Sequence, residues 1–186
     1  MLDVLSTASK DDIVAWHEND ASQSFTERVI NNARNGARVV FAIDFDGDGD
    51  IDALSASKID DTVAWYENDG SQSFTERVLT NSADGPTFVF AIDVDGDGDV
   101  DALSASSSDD TVAWYENDGS QSFTKRVITT LADAARSVFA IDVDGDGDVD
   151  ALSASFNDDT VAWYENDGGL FAERVVTTLA DVARAV

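Results

Sequence analysis

The strongest constraint in this chain is its period. Trp16, Trp65, Trp114 and Trp163 stand 49 residues apart, and the surrounding text recurs almost unchanged. Asp61-Thr62-Val63-Ala64-Trp65-Tyr66-Glu67-Asn68-Asp69-Gly70 returns at Asp110–Gly119 and at Asp159–Gly168. A looser copy starts at Asp12, with Ile13 in place of Thr and His17 in place of Tyr. The last copy is one residue shorter, because Gly169-Leu170-Phe171 replaces Ser120-Gln121-Ser122-Phe123. A repeat of this length is one supersecondary unit that buries its apolar faces against its neighbours.

Each unit reads as four short strands. In the complete unit after Phe88, an apolar first strand runs to Asp93 and an Asp/Gly loop follows. A second strand lies around Ala102 to Ser106. The Asp109-Asp110 turn leads to a third, Thr111 to Asn117, and Asn117-Asp118-Gly119 is a strong hairpin signal before a fourth, Phe123 to Thr129. Alternation puts Val112 and Trp114 on one face of the third strand and Ala113 and Tyr115 on the other. Both faces are apolar, as suits a strand covered on both sides. Four strands per period of 40 to 50 residues is a propeller signature. The expected fold is therefore all-β: a β-propeller-type array of four-stranded antiparallel blades in about four 49-residue repeats. The units divide as 1–38, 39–87, 88–136 and 137–186, within one domain. Helical solenoids are excluded by β-branched content and by turn signals every 8 to 12 residues.

Three units carry one nine-residue segment. It is Asp44-Phe45-Asp46-Gly47-Asp48-Gly49-Asp50-Ile51-Asp52. It recurs with Asp93, Asp95, Asp97, Asp99 and Asp101, and again with Asp142, Asp144, Asp146, Asp148 and Asp150. Five carboxylates in nine residues repel one another unless a cation intervenes. Calcium takes six to eight oxygen ligands, which suits a flexible carboxylate-rich loop. Side chains at positions 1, 3, 5 and 9 would point inward, with a backbone carbonyl at position 7 and a glycine at position 6 to turn the chain. An EF-hand would need a bidentate Glu at position 12 and flanking helices. Position 12 here is Ser55, Ser104 or Ser153, between strands. The bland alternative is an Asp/Gly turn that binds nothing; three near-identical copies at fixed spacing weigh against it.

The Asp-x-Asp-Gly-Asp-Gly-Asp-x-Asp loop, followed by Thr-Val-Ala-Trp-Tyr-Glu-Asn-Asp-Gly, resembles the FG-GAP and VCBS repeats, whose relatives form the integrin alpha-subunit propeller. The resemblance covers essentially the whole chain. It implies about three calcium ions, held by Asp44, Asp46, Asp48 and Asp52 and the matching residues of the other loops. Asp50, Asp99 and Asp148 would ligate through backbone oxygen. It also implies a bacterial extracellular or cell-surface location, where plentiful calcium fills weak sites.

Charge narrows the partners. The formal net charge is −27, from 38 acidic against 11 basic residues. Such a field repels nucleic-acid phosphates and anionic headgroups and attracts cations. No apolar run is long enough for a membrane span. Met1-Leu2-Asp3-Val4 has neither the basic nor the apolar region of a signal peptide. With no cysteine, disulfides and thiolate metal sites are excluded. His17 is the one histidine and replaces a Tyr, and no base is placed beside a nucleophile, so catalysis is not expected.

The units differ in two places: the turn between second and third strands (Ser9-Lys10, Lys58-Ile59, Ser107-Ser108, Phe156-Asn157), and the link to the next unit (Asn31 to Arg38, Asn81 to Thr87, Thr130 to Ser137). In a four-stranded blade both emerge on one rim, and the metal loop and Asn-Asp-Gly turn lie on the other. The variable rim is a ligand surface or a site of neutral drift. The recurrent aromatics read as packing rather than a sugar platform. Arg28, Arg77, Arg126 and Arg174 read as ion-pair partners of the third-strand glutamates.

Asp3 matches Asp52, so the first unit lacks its inner strand, and Leu179–Val186 matches the approach to such a strand. The ends would then close a four-bladed ring in cis, pair with a neighbouring subunit, or belong to a longer array. Self-association through open blade edges is one expectation. Function reads as a non-catalytic calcium-binding module for adhesion or for binding a glycan or protein. The alternatives are a self-assembling subunit of a surface layer or fibre, and an accessory domain of a secreted hydrolase.

Overall fold

A computed structural model describes residues 3–186; Met1 and Leu2, within the segment read for a leader, lie outside the described residues. The described chain is fifteen β-strands with no helix. The first sheet has three strands, β1 (Val4–Ala8), β2 (Ile13–Asn19) and β3 (Phe25–Asn31). Three four-stranded sheets follow, each meandering in chain order. They are β4 (Ala37–Ile43), β5 (Asp52–Ser57), β6 (Thr62–Asn68) and β7 (Phe74–Thr80); β8 (Pro86–Ile92), β9 (Asp101–Ser106), β10 (Thr111–Asn117) and β11 (Phe123–Thr129); then β12 (Ala135–Ile141), β13 (Asp150–Ser155), β14 (Val161–Asp167) and β15 (Leu170–Thr177). Every pairing is antiparallel.

Consecutive sheets pack face to face: β5 and β6 on β8, and β9 and β10 on β12. The third strand of each unit explains why. Trp65 and Val63 face the following sheet, where they meet Ala91, Ala102, Ala113 and Tyr115. Trp114 and Val112 meet Ala140, Ala151, Ala162 and Tyr164 in the same way. Each sheet thus offers a bulky face forward and an alanine-lined face backward, so large side chains fill the space left by small ones. Trp65 and Tyr66 on opposite faces are both fully buried, at 0% and 1% exposure. The aromatic repeat is packing, as its alternation predicts.

Two bulges recur in the sheets. On the outer strand the register slips between Val63 and Ala64, leaving Leu79 as the extra residue opposite them. The same slip turns Leu79, Ile30 and Ile128 toward the inter-sheet cores. On the first strand the slip lies between Ala37 and Val39, between Pro86 and Phe88, and between Ala135 and Ser137. Arg38, Thr87 and Arg136 are the residues skipped. A bulge frees one residue from the ladder and re-aims its side chain.

The two rims separate as expected. Backbone hydrogen bonds join the β5–β6 turn to the link before β4, from Lys58 N to Gly36 O (3.0 Å) and Ile59 N to Asn35 O (3.2 Å). At the other end, the Asp50 carboxylate lies against Gly70 of the β6–β7 turn.

Candidate metal centre

The three Asp loops connect first to second strands, at β4–β5, β8–β9 and β12–β13. Two of them are pinned from inside by their second residue, whereas Val143 of the third is 45% exposed. Phe45 is 2% exposed and sits between Trp65 (ring centroids 5.2 Å apart) and Phe123 of the next sheet (5.6 Å). Val94 is buried in the corresponding core. These two loops are therefore anchored on an apolar plug while their carboxylates at positions 1, 3, 5 and 7 stay nearer the surface.

Position 1 organises the turn. Asp44 accepts the Gly47 N–H at Oδ1 (2.8 Å) and the Gly49 N–H at Oδ2 (3.0 Å), and Asp93 and Asp142 repeat both contacts. Asp46 Oδ1 accepts the Asp48 N–H (3.2 Å) and Asp48 Oδ1 the Asp50 N–H (2.9 Å). Gly47 and Gly49 have φ of 76° and 98°, a backbone that other residues rarely adopt. These turns bring carboxylate oxygens within 4.8 Å of one another in three groups: Asp44, Asp46 and Asp48; Asp93, Asp95 and Asp101; and Asp142, Asp144 and Asp146. Positions 1 and 3 converge in every loop, joined by position 5 in two loops and by position 9 in the other. The three clusters are placed to hold metal ions.

Position 9 has a second task. Asp52 is buried; its Oδ2 accepts the Phe45 N–H (3.0 Å) and its Oδ1 the Asn68 N–H (2.7 Å). Asp101 and Asp150 do the same. This carboxylate clamps the loop to the start of the hairpin turn. Asn68 completes the clamp, its Nδ2 donating to Ile51 O (3.1 Å), and Asn117 and Asn166 match it. These asparagines were not singled out from sequence beyond their turn role, though they recur in every Asn-Asp-Gly. Position 7 turns its side chain out of the cluster: Asp50 lies against Gly70, Asp99 against Gly119, and Asp148 accepts the Gly168 N–H (3.3 Å).

Burial pushes the Asp101 carboxyl up to about 6, against the N–H donations from Asn117 and Val94 that lower it. Asp52 is raised for the same reason. Asp46, Asp95 and Asp144 are also raised, first by desolvation and then by neighbouring carboxylates, among them Glu67, Glu116 and Glu165 respectively. A cation would relieve this repulsion.

The model of the FG-GAP-like repeat matches three times, over residues 1–55, 44–104 and 93–153. The chain belongs to the FG-GAP-like repeat family. The second and third matches begin on Asp44 and Asp93, the first residues of two Asp loops. Among solved structures, this FG-GAP-like chain is similar to the Vibrio cholerae biofilm matrix protein Bap1, with 15% identity and a TM-score of 0.44 over 99% of this chain. It spans 40% of that chain's length. No curated protein matches it.

The outer-strand arginines pair as expected. Arg28 meets Glu18 (2.9 Å), Arg77 meets Glu67 (2.7 Å), Arg126 meets Glu116 and Arg174 meets Glu165. His17 Nε2 is hydrogen-bonded to Ser6 Oγ (2.8 Å), the role that Tyr66 plays toward Ser55. No helix of the structure is long and apolar enough to cross a membrane.

Proposed function

We propose that this chain is a calcium-stabilised, non-catalytic recognition module that works outside the cell. The observation that carries the reading is the repeated convergence of positions 1 and 3 in all three loops. The donors are hard oxygens alone, with no His or Cys in any cluster, which favours calcium over softer metals. Asp44, Asp46, Asp48 and Asp52 would hold one ion, with Asp93, Asp95, Asp97 and Asp101, and Asp142, Asp144, Asp146 and Asp150, holding two more. Asp52 and its counterparts each keep lone pairs beyond those given to backbone N–H groups. Asp50, Asp99 and Asp148 would act through backbone oxygen, in keeping with side chains directed elsewhere.

The sheets are read as blades of one propeller-type domain, with units at 1–38, 39–87, 88–136 and 137–186. A cavity lined by residues of all four sheets supports an arrangement about a common axis. The variable rim would carry recognition of a glycan or protein. Family membership supports extracellular placement.

Calorimetric titration of chelator-treated protein with calcium tests the reading. About three equivalents should bind, with a rise in melting temperature. No binding at millimolar calcium would end it.

One observation favours a second reading, a self-assembling structural subunit. The outer edge strands expose Val29, Val78, Val127 and Val175, each about half accessible. Light scattering in calcium separates the two: a compact monomer at high concentration excludes assembly.

A further inference from the structure

The variable rim surrounds a cavity of about 420 Å³ to which every sheet contributes. Its wall includes Arg38, Thr87, Arg136 and Arg184. These four residues occupy one repeat position, following Ala37, Pro86, Ala135 and Ala183. The first three are the residues released by the first-strand bulges, so the fold itself aims this position at the cavity. The Phe156 ring lies against two of the guanidinium groups, 4.7 Å from that of Arg136 and 5.2 Å from that of Arg184.

In a chain of net charge −27 this grouping is anomalous. Five other arginines, Arg28, Arg34, Arg77, Arg126 and Arg174, are ion-paired to carboxylates. Arg38, Arg136, Arg184 and nearby Lys58 make no ion pair among the described residues, and no acidic residue lines the cavity. Arg136 Nε is buried without a hydrogen-bond partner. Burial and mutual repulsion lower the pKa of Arg136, which feels Arg38 and Arg184, and of Lys58, which feels Arg136 and Arg38. Asp12, Asp61, Asp110 and Asp159 stand on the same rim, but each carboxylate accepts a backbone N–H of the neighbouring link and none lines the cavity.

We propose that the cavity binds a carboxylate-bearing ligand of about monosaccharide size, held by the guanidinium groups of Arg38, Arg136 and Arg184. Guanidinium matches a carboxylate with two parallel N–H donors, and desolvation strengthens the pairing. The volume falls in the range of small-ligand sites. The acidic loops do not cancel the local field. They lie at the far end of seven-residue strands such as β4, roughly 20 Å away at about 3.3 Å per residue. That is more than two screening lengths of about 8 Å at physiological ionic strength. The ligand would be a free small acid or the terminal acidic sugar of a glycan. The proposal refines the recognition role given to this rim and does not depend on the loops.

The probe is sodium glucuronate, titrated by calorimetry into the calcium-loaded chain, with glucose as the neutral control. Saturable one-to-one binding of glucuronate and none of glucose is expected. Arg38→Gln and Arg136→Gln should each weaken it at least tenfold, and raised salt should weaken it further. A disaccharide ending in glucuronate that binds more tightly than the free acid identifies a glycan terminus; equal affinity identifies the small acid. Arg38→Gln removes a charge from a like-charged group, so its melting temperature should not fall. Its calcium titration should match the parent. Glucuronate behaving like glucose, or variants binding as the parent does, overturns the proposal. If calcium still binds in about three equivalents, that failure leaves the loop reading intact.

Discussion

Asp110 Oδ1 accepts the backbone N–H of Ala134 at 2.8 Å, so a turn in one sheet fixes the residue that opens the next. Asp12 holds Gly36 and Asp61 holds Gly85 at the same distance of 2.9 Å, and Asp159 holds Val182. Each of these aspartates adopts a positive φ, between 55° and 59°. A second bond reinforces the joint, from Ala132 N to Asp110 O at 3.1 Å.

Removing one such carboxylate should loosen one joint. Asp61→Ala loses a charge-assisted hydrogen bond, worth about 2 kcal/mol, and leaves Ala at a strained φ. Asp61→Asn keeps an acceptor and the tolerance for that backbone, and should cost less. Denaturant midpoints of the two variants, compared with the parent, check the order.

Ala134 occupies the position held by Gly36 and Gly85 in the preceding units, with φ of 55°. Ala134→Gly should therefore stabilise the fold. Relief of the left-handed backbone is worth roughly 1–2 kcal/mol, and the added freedom of the unfolded chain takes back about half. A rise of a few degrees in melting temperature is the expected result, and a fall would refute the account.

These joints were not legible in the sequence. Asp109-Asp110 reads as a turn, but neither the left-handed backbone at Asp110 nor its reach to Ala134 follows from residue type. The strands were legible, because Val112, Ala113, Trp114 and Tyr115 make both faces apolar. So was the Asp loop, through its three copies. What escaped was the division of labour within it: inward pointing was expected of positions 1, 3, 5 and 9 alike. Burial gives position 9 a further task, a clamp on Asn68, Asn117 and Asn166, while Asp101 still converges with Asp93 and Asp95. The cluster of Arg38, Arg136 and Arg184 was invisible for a different reason. Residues 48 or more apart meet only when the sheets are placed.

Loop variants should act locally. Asp95→Ala removes a carboxylate from the cluster with Asp93 and Asp101. Calcium titration should then show one fewer strong event, with the remaining affinities changed by less than about twofold, as expected of separated sites. Loss of all binding would mean that the loops do not act independently.

Acid should strengthen the calcium-free protein. The folded-state pKa of Asp101 is about 6, above its ordinary 3.8. A carboxyl raised on folding stabilises the fold when protonated. That contribution is complete below about 3.8 and is lost as pH rises through about 6. In chelator, the melting temperature should climb as pH falls from 7 toward 5. With calcium present the trend should reverse, because protons compete with the ion. Carbon-detected titration of the Asp101 carboxyl, midway near 6 without calcium, is the direct check.

The reach of Asp61 and Asp110 across the boundary has an evolutionary corollary. Whatever gene segment encodes one unit already carries the grip for its successor, while the receiving end needs only a main-chain amide. Duplication of that segment would thus deliver a working coupling with no compensating change, and such a lineage could lengthen by copying before its rims diverged.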